Sequence, residues 1–330
     1  MLQTYSSRPV LSAQPDETPA GMASGARPIW FDLLNPTPAE TREVEAHLGI
    51  EIPTRDEMQE IELSARLYQE AGAEFMTVTV ATELDGDEPV KAPISFIMKD
   101  GTLVTVRYAD PKPFQLFAAR LQRQNGTLCD SGEQVLLCLI EATVDRMADV
   151  LERVGNDIDA VSREVFSRKK QTVTKKTRNL EQLIAQIGGK GEVLTTARES
   201  LVSIARMVAY YMAVEGKALR KSGKDSRQRM KLVQRDAASL GDHAQFLSAK
   251  INFLLDATLG LINLEQNQII KIFSVAAVVF LPPTLVASIY GMNFQLMPEL
   301  SWQFGYPFAI GLMMLSALLP YLYFKRKGWL

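Results

Sequence analysis

The rhythm of apolar and polar positions changes twice along this chain. Through residues 28–125 the apolar positions come in short runs separated by turn residues. Pro28–Leu33, Glu62–Gln69, Glu74–Glu83, Val90–Met98 and Thr102–Ala109 read as strands, with Lys99-Asp100-Gly101 as a tight hairpin turn between the last two. Thr37–Leu48 and Pro113–Gln124 read as helices, and Thr54-Arg55-Asp56-Glu57 is a capping box that predicts another helix start. This is the pattern of a small α/β domain with a partly antiparallel sheet.

From about Ser131 the spacing becomes helical and stays so. Gln134–Arg168, Thr172–Gly188 and Glu192–Lys221 carry apolar residues at helical intervals, and Gly188, Gly189 and Gly191 predict a break or kink. After a turn at Lys221–Asp225, a helical run from Ser226 meets no Pro or double Gly until Pro282. At 1.5 Å per residue, Ser226 to Tyr290 makes a rod of roughly 100 Å.

The second change comes at the end. Ile272–Ile289 and Pro307–Phe324 are apolar runs of about 18 residues, each long enough to cross a hydrocarbon core as a helix. No Lys or Arg lies between Gly291 and Tyr306, whereas Lys271 precedes the first run and Lys325, Arg326 and Lys327 follow the second. Cationic flanks stay cytoplasmic, so both termini are expected inside and the link outside. Trp302, Tyr306, Tyr321, Tyr323 and Trp329 sit where interfacial aromatics belong.

Composition adds exclusions. The 330 residues carry a net charge of -2, but the charges lie nearly all before residue 272, so the average says little about partners. No long basic block suggests nucleic acid. Residues 1–26 are rich in Ser, Pro, Gln, Gly and Ala without an apolar core, and read as a flexible tail rather than a signal peptide. Cys129 and Cys138 fit no zinc or disulfide spacing and read as two buried, reduced thiols. With 2 His in the chain, a nitrogen/sulfur metal site is hard to assemble. No P-loop, nucleophile elbow or HExxH motif points to an enzyme.

Two spans cannot enclose a watery path, so conduction would need several copies around an axis. Stepping back from the tip by three or four residues, Ser288, Thr284, Leu281, Ala277, Ser274, Ile270 and Asn267 share one helical face. Such a face suits either helix packing or a pore lining. It holds no charge. Neutral oxygens can accept hydrogen bonds from the water shell that Mg²⁺ releases reluctantly, and Leu281 and Ile270 would form apolar rings that gate by dewetting. Pro282 and Pro283 deprive two carbonyls of donors, giving a kink or a flexible point.

The words around these positions carry a resemblance. Tyr290-Gly291-Met292-Asn293-Phe294 followed by Met297-Pro298-Glu299-Leu300 resembles the signature of the CorA family of magnesium channels. Asn263-Leu264-Glu265-Gln266-Asn267, Phe280-Leu281-Pro282-Pro283-Thr284 and the end from Tyr321 to Leu330 are similar to the enterobacterial members. The resemblance implies a funnel-shaped homopentamer in the bacterial inner membrane. It would carry Mg²⁺ inward, along with Co²⁺ and Ni²⁺, and would need no organic cofactor. Its partners would be its own copies, membrane lipids and divalent cations.

The implied layout is a tail at 1–26, a cytosolic α/β domain at 27–130, a helical arm at 131–225 and a stalk helix at 226–270. A pore-lining span at 271–290, a periplasmic loop at 291–306, a second span at 307–324 and a basic tail at 325–330 complete it. The resemblance assigns cation selection to Gly291, Met292 and Asn293 and external attraction of cations to Glu299. It assigns pore lining to Asn267, Ile270, Leu281 and Thr284, and places Lys325, Arg326 and Lys327 around the inner exit. It further implies gating by intracellular Mg²⁺, for which Asp85, Asp87, Asp236 and Asp242 are candidates beside the reading of an ordinary solvated loop and helix face. A zinc transporter of the ZntB type shares the fold, but Glu299 and the scarcity of His and Cys speak against it. A non-conducting coiled-coil scaffold is the remaining alternative.

Overall fold

The computed structural model describes residues 1–6, 28–84, 89–123, 129–166, 173–217, 224–292, 297–298 and 302–329. Six strands form one mixed sheet in the order β1-β2-β6-β5-β4-β3. They are β1 (Leu2–Ser6), β2 (Pro28–Leu34), β3 (Leu67–Glu70), β4 (Ala73–Thr82), β5 (Val90–Lys99) and β6 (Thr102–Arg107). Only β2 and β6 run parallel; the other neighbours are antiparallel. The predicted hairpin stands, with Lys99 opposite Thr102 and Asp100 and Gly101 both at positive φ, as a two-residue turn requires.

Period two sorts the β2 and β6 side chains. Phe31, Leu33, Val104 and Val106 join Val44, Ile52, Met58, Phe75 and Ile97 in one buried cluster. Val44 belongs to α1 (Pro38–Leu48), whose start is fixed by a capping box between Thr37 and Glu40. The alternate positions Trp30, Asp32, Thr105 and Arg107 are buried too, and each carries a polar group. They satisfy one another. Trp30 Nε1 donates to Thr105 Oγ1 at 2.9 Å, and Thr105 Oγ1 to Asp32 Oδ1 at 2.7 Å. Arg107 meets both Asp32 oxygens at 2.9 and 2.7 Å. The Trp30 ring packs on Phe117, and Arg107 lies over the Phe114 ring, both from α3 (Lys112–Arg123).

Three expectations in the first 70 residues need correction. Leu2–Ser6 is a strand paired with β2, so the expected tail is ordered at its beginning; 7–27 lie outside the described residues. The Thr54–Glu57 box is formed, with Thr54 N–H donating to Glu57 at 2.7 Å, but it opens only a 3-10 turn, Glu57–Gln59. The following segment starts as the short helix α2 (Leu63–Arg66) before becoming β3, not as strand from Glu62.

Three long helices follow: α4 (Gly132–Val165), α5 (Val173–Lys217) and α6 (Lys224–Tyr290). The expected break at Gly188–Gly191 is absent; α5 runs straight through it. Buried Leu183, Ile187, Leu194, Ala197, Leu201, Ile204 and Val208 hold it at helical spacing, outweighing a cost of about 1 kcal/mol per glycine. On α6, buried Met230, Val233, Ala237, Gly241, Ala244, Leu247, Ile251 and Leu254 repeat every three or four residues. Polar ties join these helices: Lys190 to Asp157 at 3.1 Å, Arg198 to Gln245 at 2.9 Å and Arg229 to Glu141 at 2.6 Å. The start of α4 is pressed onto the β5–β6 turn. Gly132 N–H donates to Gly101 O at 2.9 Å, and a Cβ at Gly132 would lie 2.4 Å from the Leu103 nitrogen.

The chain divides into two compact units. The first comprises Met1–Ser167 and Leu183–Leu254, the second Arg168–Gln182 and Leu255–Leu330.

Candidate pore and its mouth

The second unit holds two helices apolar enough to cross a membrane, the end of α6 and α7 (Gly305–Arg326), with mean hydropathies of 2.2 and 1.6 over their best windows. Helix α6 stays helical through Pro282 and Pro283, so the expected kink does not break it. Each proline removes a backbone donor, so the Val278 and Val279 carbonyls lose their helical partners.

The two spans run beside each other in opposite directions. Lys271 Nζ, before the first, lies 5.9 Å from the centre of the Trp329 ring, just past the second. On α6 the less exposed positions of the span are Val275, Ala276, Val279, Pro282, Pro283, Val286 and Tyr290, which fall on one face. On α7 they include Gly305, Ala309, Met313, Ser316 and Pro320, mostly small residues that allow close approach.

The seven stripe positions lie on the other side of α6. At about 100° per residue, they centre roughly opposite the face that meets α7. Asn267, Ile270, Ser274, Ala277, Leu281, Thr284 and Ser288 are all exposed, Leu281 by 68% and Ile270 by 61%. Phe273 and Phe280 flank the stripe on one side, Leu285 and Ile289 on the other, and these too are exposed. Thr284 Oγ1 donates to Phe280 O at 2.8 Å. Its proton is thus committed to its own helix, and its remaining lone pairs can only accept.

Helix α6 ends at Tyr290, and Gly291 N–H still bonds to Ala287 O at 2.9 Å. Gly291 and Met292 follow, exposed, at the start of the link. Asn293 and Glu299 lie outside the described residues. Lys325 and Arg326 occupy the last turn of α7, where cations complement the helix dipole, and Lys327 follows as its cap with Nζ 5.7 Å from the Tyr323 ring centre.

The regulatory candidates are less unified. Asp85 and Asp87 lie outside the described residues. Asp236 and Asp242 are exposed on α6, six positions apart and so on different faces. No cluster of three or more His, Cys, Asp or Glu side chains fit for a metal ion occurs among the described residues. What sequence reading missed is Asp145 on α4. Its carboxyl is held above the usual range, first by burial and then by the charges of Glu141, Asp149 and Asp236. Glu141, Asp145 and Asp149 recur every four residues on one face of α4, a spacing visible in the sequence, but their approach to Asp236 is not.

Known proteins match this arrangement. The family described as CorA-like Mg2+ transporter protein matches residues 25–326. The magnesium transport protein CorA of Yersinia pseudotuberculosis is 37% identical over 308 residues, covering 92% of this chain and 93% of that one. That of Escherichia coli is 37% identical over 302 residues, covering 92% of each. The complete structure of the CorA magnesium transporter from Methanocaldococcus jannaschii superposes with a TM-score of 0.74 at 18% identity, covering 91% of each chain, which supports the fold. The extent of the family match and the level of identity across nearly the whole chain place this protein in the CorA-like Mg²⁺ transporter family.

Proposed function

We propose that this protein carries Mg²⁺ across a bacterial inner membrane through a channel formed by several copies, five in the arrangement the family resemblance implies. One observation carries the reading. The seven-residue stripe of α6 is exposed along its whole length while the opposite face packs on α7. Copies placed around an axis would turn that stripe inward, and the apolar side chains flanking it would meet the neighbouring copies.

The stripe suits an ion that keeps much of its water. It offers no charge to strip the shell and no carboxylate to trap the ion. Thr284, whose hydroxyl already donates to Phe280 O, offers lone pairs to the shell's hydrogens. Leu281 and Ile270 would form two apolar rings that close the path by dewetting when they approach. Asn293, just beyond Gly291 and Met292, would meet the hydrated ion at the mouth, and a ring of Glu299 carboxylates would raise the local cation concentration. Co²⁺ and Ni²⁺, similar in charge and size, would share the path. Lys325–Lys327 would mark the cytoplasmic side, with both termini inside.

Intracellular Mg²⁺ would regulate by screening carboxylates. The Asp145 carboxyl is raised first by burial and then by the charges of Glu141, Asp149 and Asp236. A cation nearby would relieve that repulsion and favour the tighter state; its departure would loosen it.

The test is uptake by liposomes holding the full-length protein, with a panel of divalent ions. Mg²⁺ uptake is expected, blocked from outside by hexammine cobalt and abolished by Asn293→Ala. Uptake intact in the variant would remove Asn293 from selection, and no uptake by the native protein would leave a non-conducting scaffold.

A further inference from the structure

Neither transport nor cation regulation uses the two cysteines, and the structure brings them together. Cys129 lies just before the α4 cap and is fully buried. Cys138, two turns into α4, is only half-buried, contrary to the expectation of two enclosed thiols. Cys129 is placed to direct its thiol proton at the Cys138 sulfur. A second donor arrives from α6, where Arg229 Nη2 is 3.9 Å from Cys138 Sγ. The same guanidinium is held in place by Glu141, through Nε at 3.1 Å and Nη2 at 2.6 Å.

We propose that Cys138 is a nucleophilic thiolate and Cys129 its resolving thiol, forming a site of reversible oxidation by hydroperoxides. Two donors on one sulfur favour its anion. The Cys129 hydrogen bond, then the hydrogen bond and charge of Arg229, hold Cys138 below the ordinary thiol value against burial and the opposing charge of Glu141. Cys129 is pushed the other way, by its bond to Cys138, by burial and by Asp130, so it keeps its proton. The thiolate is the reacting form, and the partial exposure of Cys138 gives a small oxidant access to it.

The chemistry balances in two steps. The Cys138 thiolate attacks one oxygen of the hydroperoxide; the O–O bond breaks, sulfur is oxidised to the sulfenic acid, and the leaving oxygen takes a proton to depart as water or an alcohol. Cys129, giving up its proton, then attacks that sulfur. The S–O bond breaks, water leaves, and a Cys129–Cys138 disulfide remains. A dithiol reductant restores both thiols.

The experiment treats the full-length protein in detergent with hydrogen peroxide and follows intact mass and maleimide labelling. The native chain should lose the mass of two hydrogens, lose labelling at both thiols, and recover both on reduction. Cys129→Ser should stop at a Cys138 sulfenic acid that a dimedone probe captures. Arg229→Gln should slow alkylation of Cys138 at neutral pH by roughly tenfold and raise the midpoint of its pH profile. If Arg229→Gln fails to fold, the profile of Cys138 in the Cys129→Ser protein decides: a midpoint at or above the free-thiol value of about 8.5 overturns the proposal. Peroxide that leaves the native chain unchanged, or that gives only crosslinks between chains, overturns it as well.

Discussion

In the sheet, the most polar buried residues answer one another within a single chain; in the first span, large apolar residues away from the α7 face stay exposed in it. Asp32 and Arg107 are 1% and 6% exposed at their side chains and bonded to each other. Phe273 and Phe280, in the first span, are 71% and 70% exposed. The first unit encloses its own solution to burial. The second presents apolar surfaces that, under the proposed function, would meet lipid and other copies. Changes in the first should therefore register in the stability of one chain, and changes on the stripe in what the assembled protein conducts.

The largest effect should come from Asp32→Ala. Removing one partner of a buried ion pair costs about 3–5 kcal/mol. A drop in Tm of about 10 °C is expected in thermal melts of the purified protein. A loss under 1 kcal/mol would show that the sheet does not depend on this internal pairing. Leu281→Ala should do the reverse. A side chain so exposed in the single chain should cost under about 0.5 kcal/mol on removal, yet its ring is an expected constriction. Mg²⁺ leak through reconstituted protein should rise several-fold, while Tm stays within about 1 °C. A clear fall in Tm with unchanged flux would place Leu281 in a packing contact instead.

The smallest effect tests where the two behaviours meet. The raised carboxyl of Asp145 means that the folded chain holds this proton more tightly than the unfolded one. The stabilisation that protonation brings is complete below the unfolded value of about 3.9 and is lost as pH rises through the raised one. At neutral pH the charge is therefore a burden. Asp145→Asn should raise Tm by on the order of 1 °C at neutral pH and shrink any gain from added Mg²⁺. An undiminished Mg²⁺ gain would move cation screening to other carboxylates.

How much could be read beforehand follows the range of each interaction. The hairpin at Asp100-Gly101, the α1 capping box and the course of α6 rest on contacts a few residues apart, and the sequence displays them. Strand β1 does not announce itself, because Leu2–Ser6 gains its order from β2 more than twenty residues later. The Thr54 box signals a start correctly but cannot say how far the helix runs; Glu60, Ile61 and Glu62 supply no apolar repeat to extend it. Gly188–Gly191 reads as a break because the neighbours that hold α5 straight are distant in sequence. The stripe was legible as a period, whereas its exposure opposite the α7 face required the paired spans. Asp32 with Arg107, Cys138 with Arg229 and Asp145 with Asp236 are separated by 75 residues or more, beyond any local pattern.

Gly132 has a consequence for anyone dissecting the molecule. The helix it begins, 34 residues long, starts against backbone atoms of a turn, with no room between them for a methyl group. Its rotational phase is thus dictated by a wall that belongs to the sheet. A fragment beginning at Gly132 would keep every side chain of the helix yet lose the stop that sets which way those side chains point.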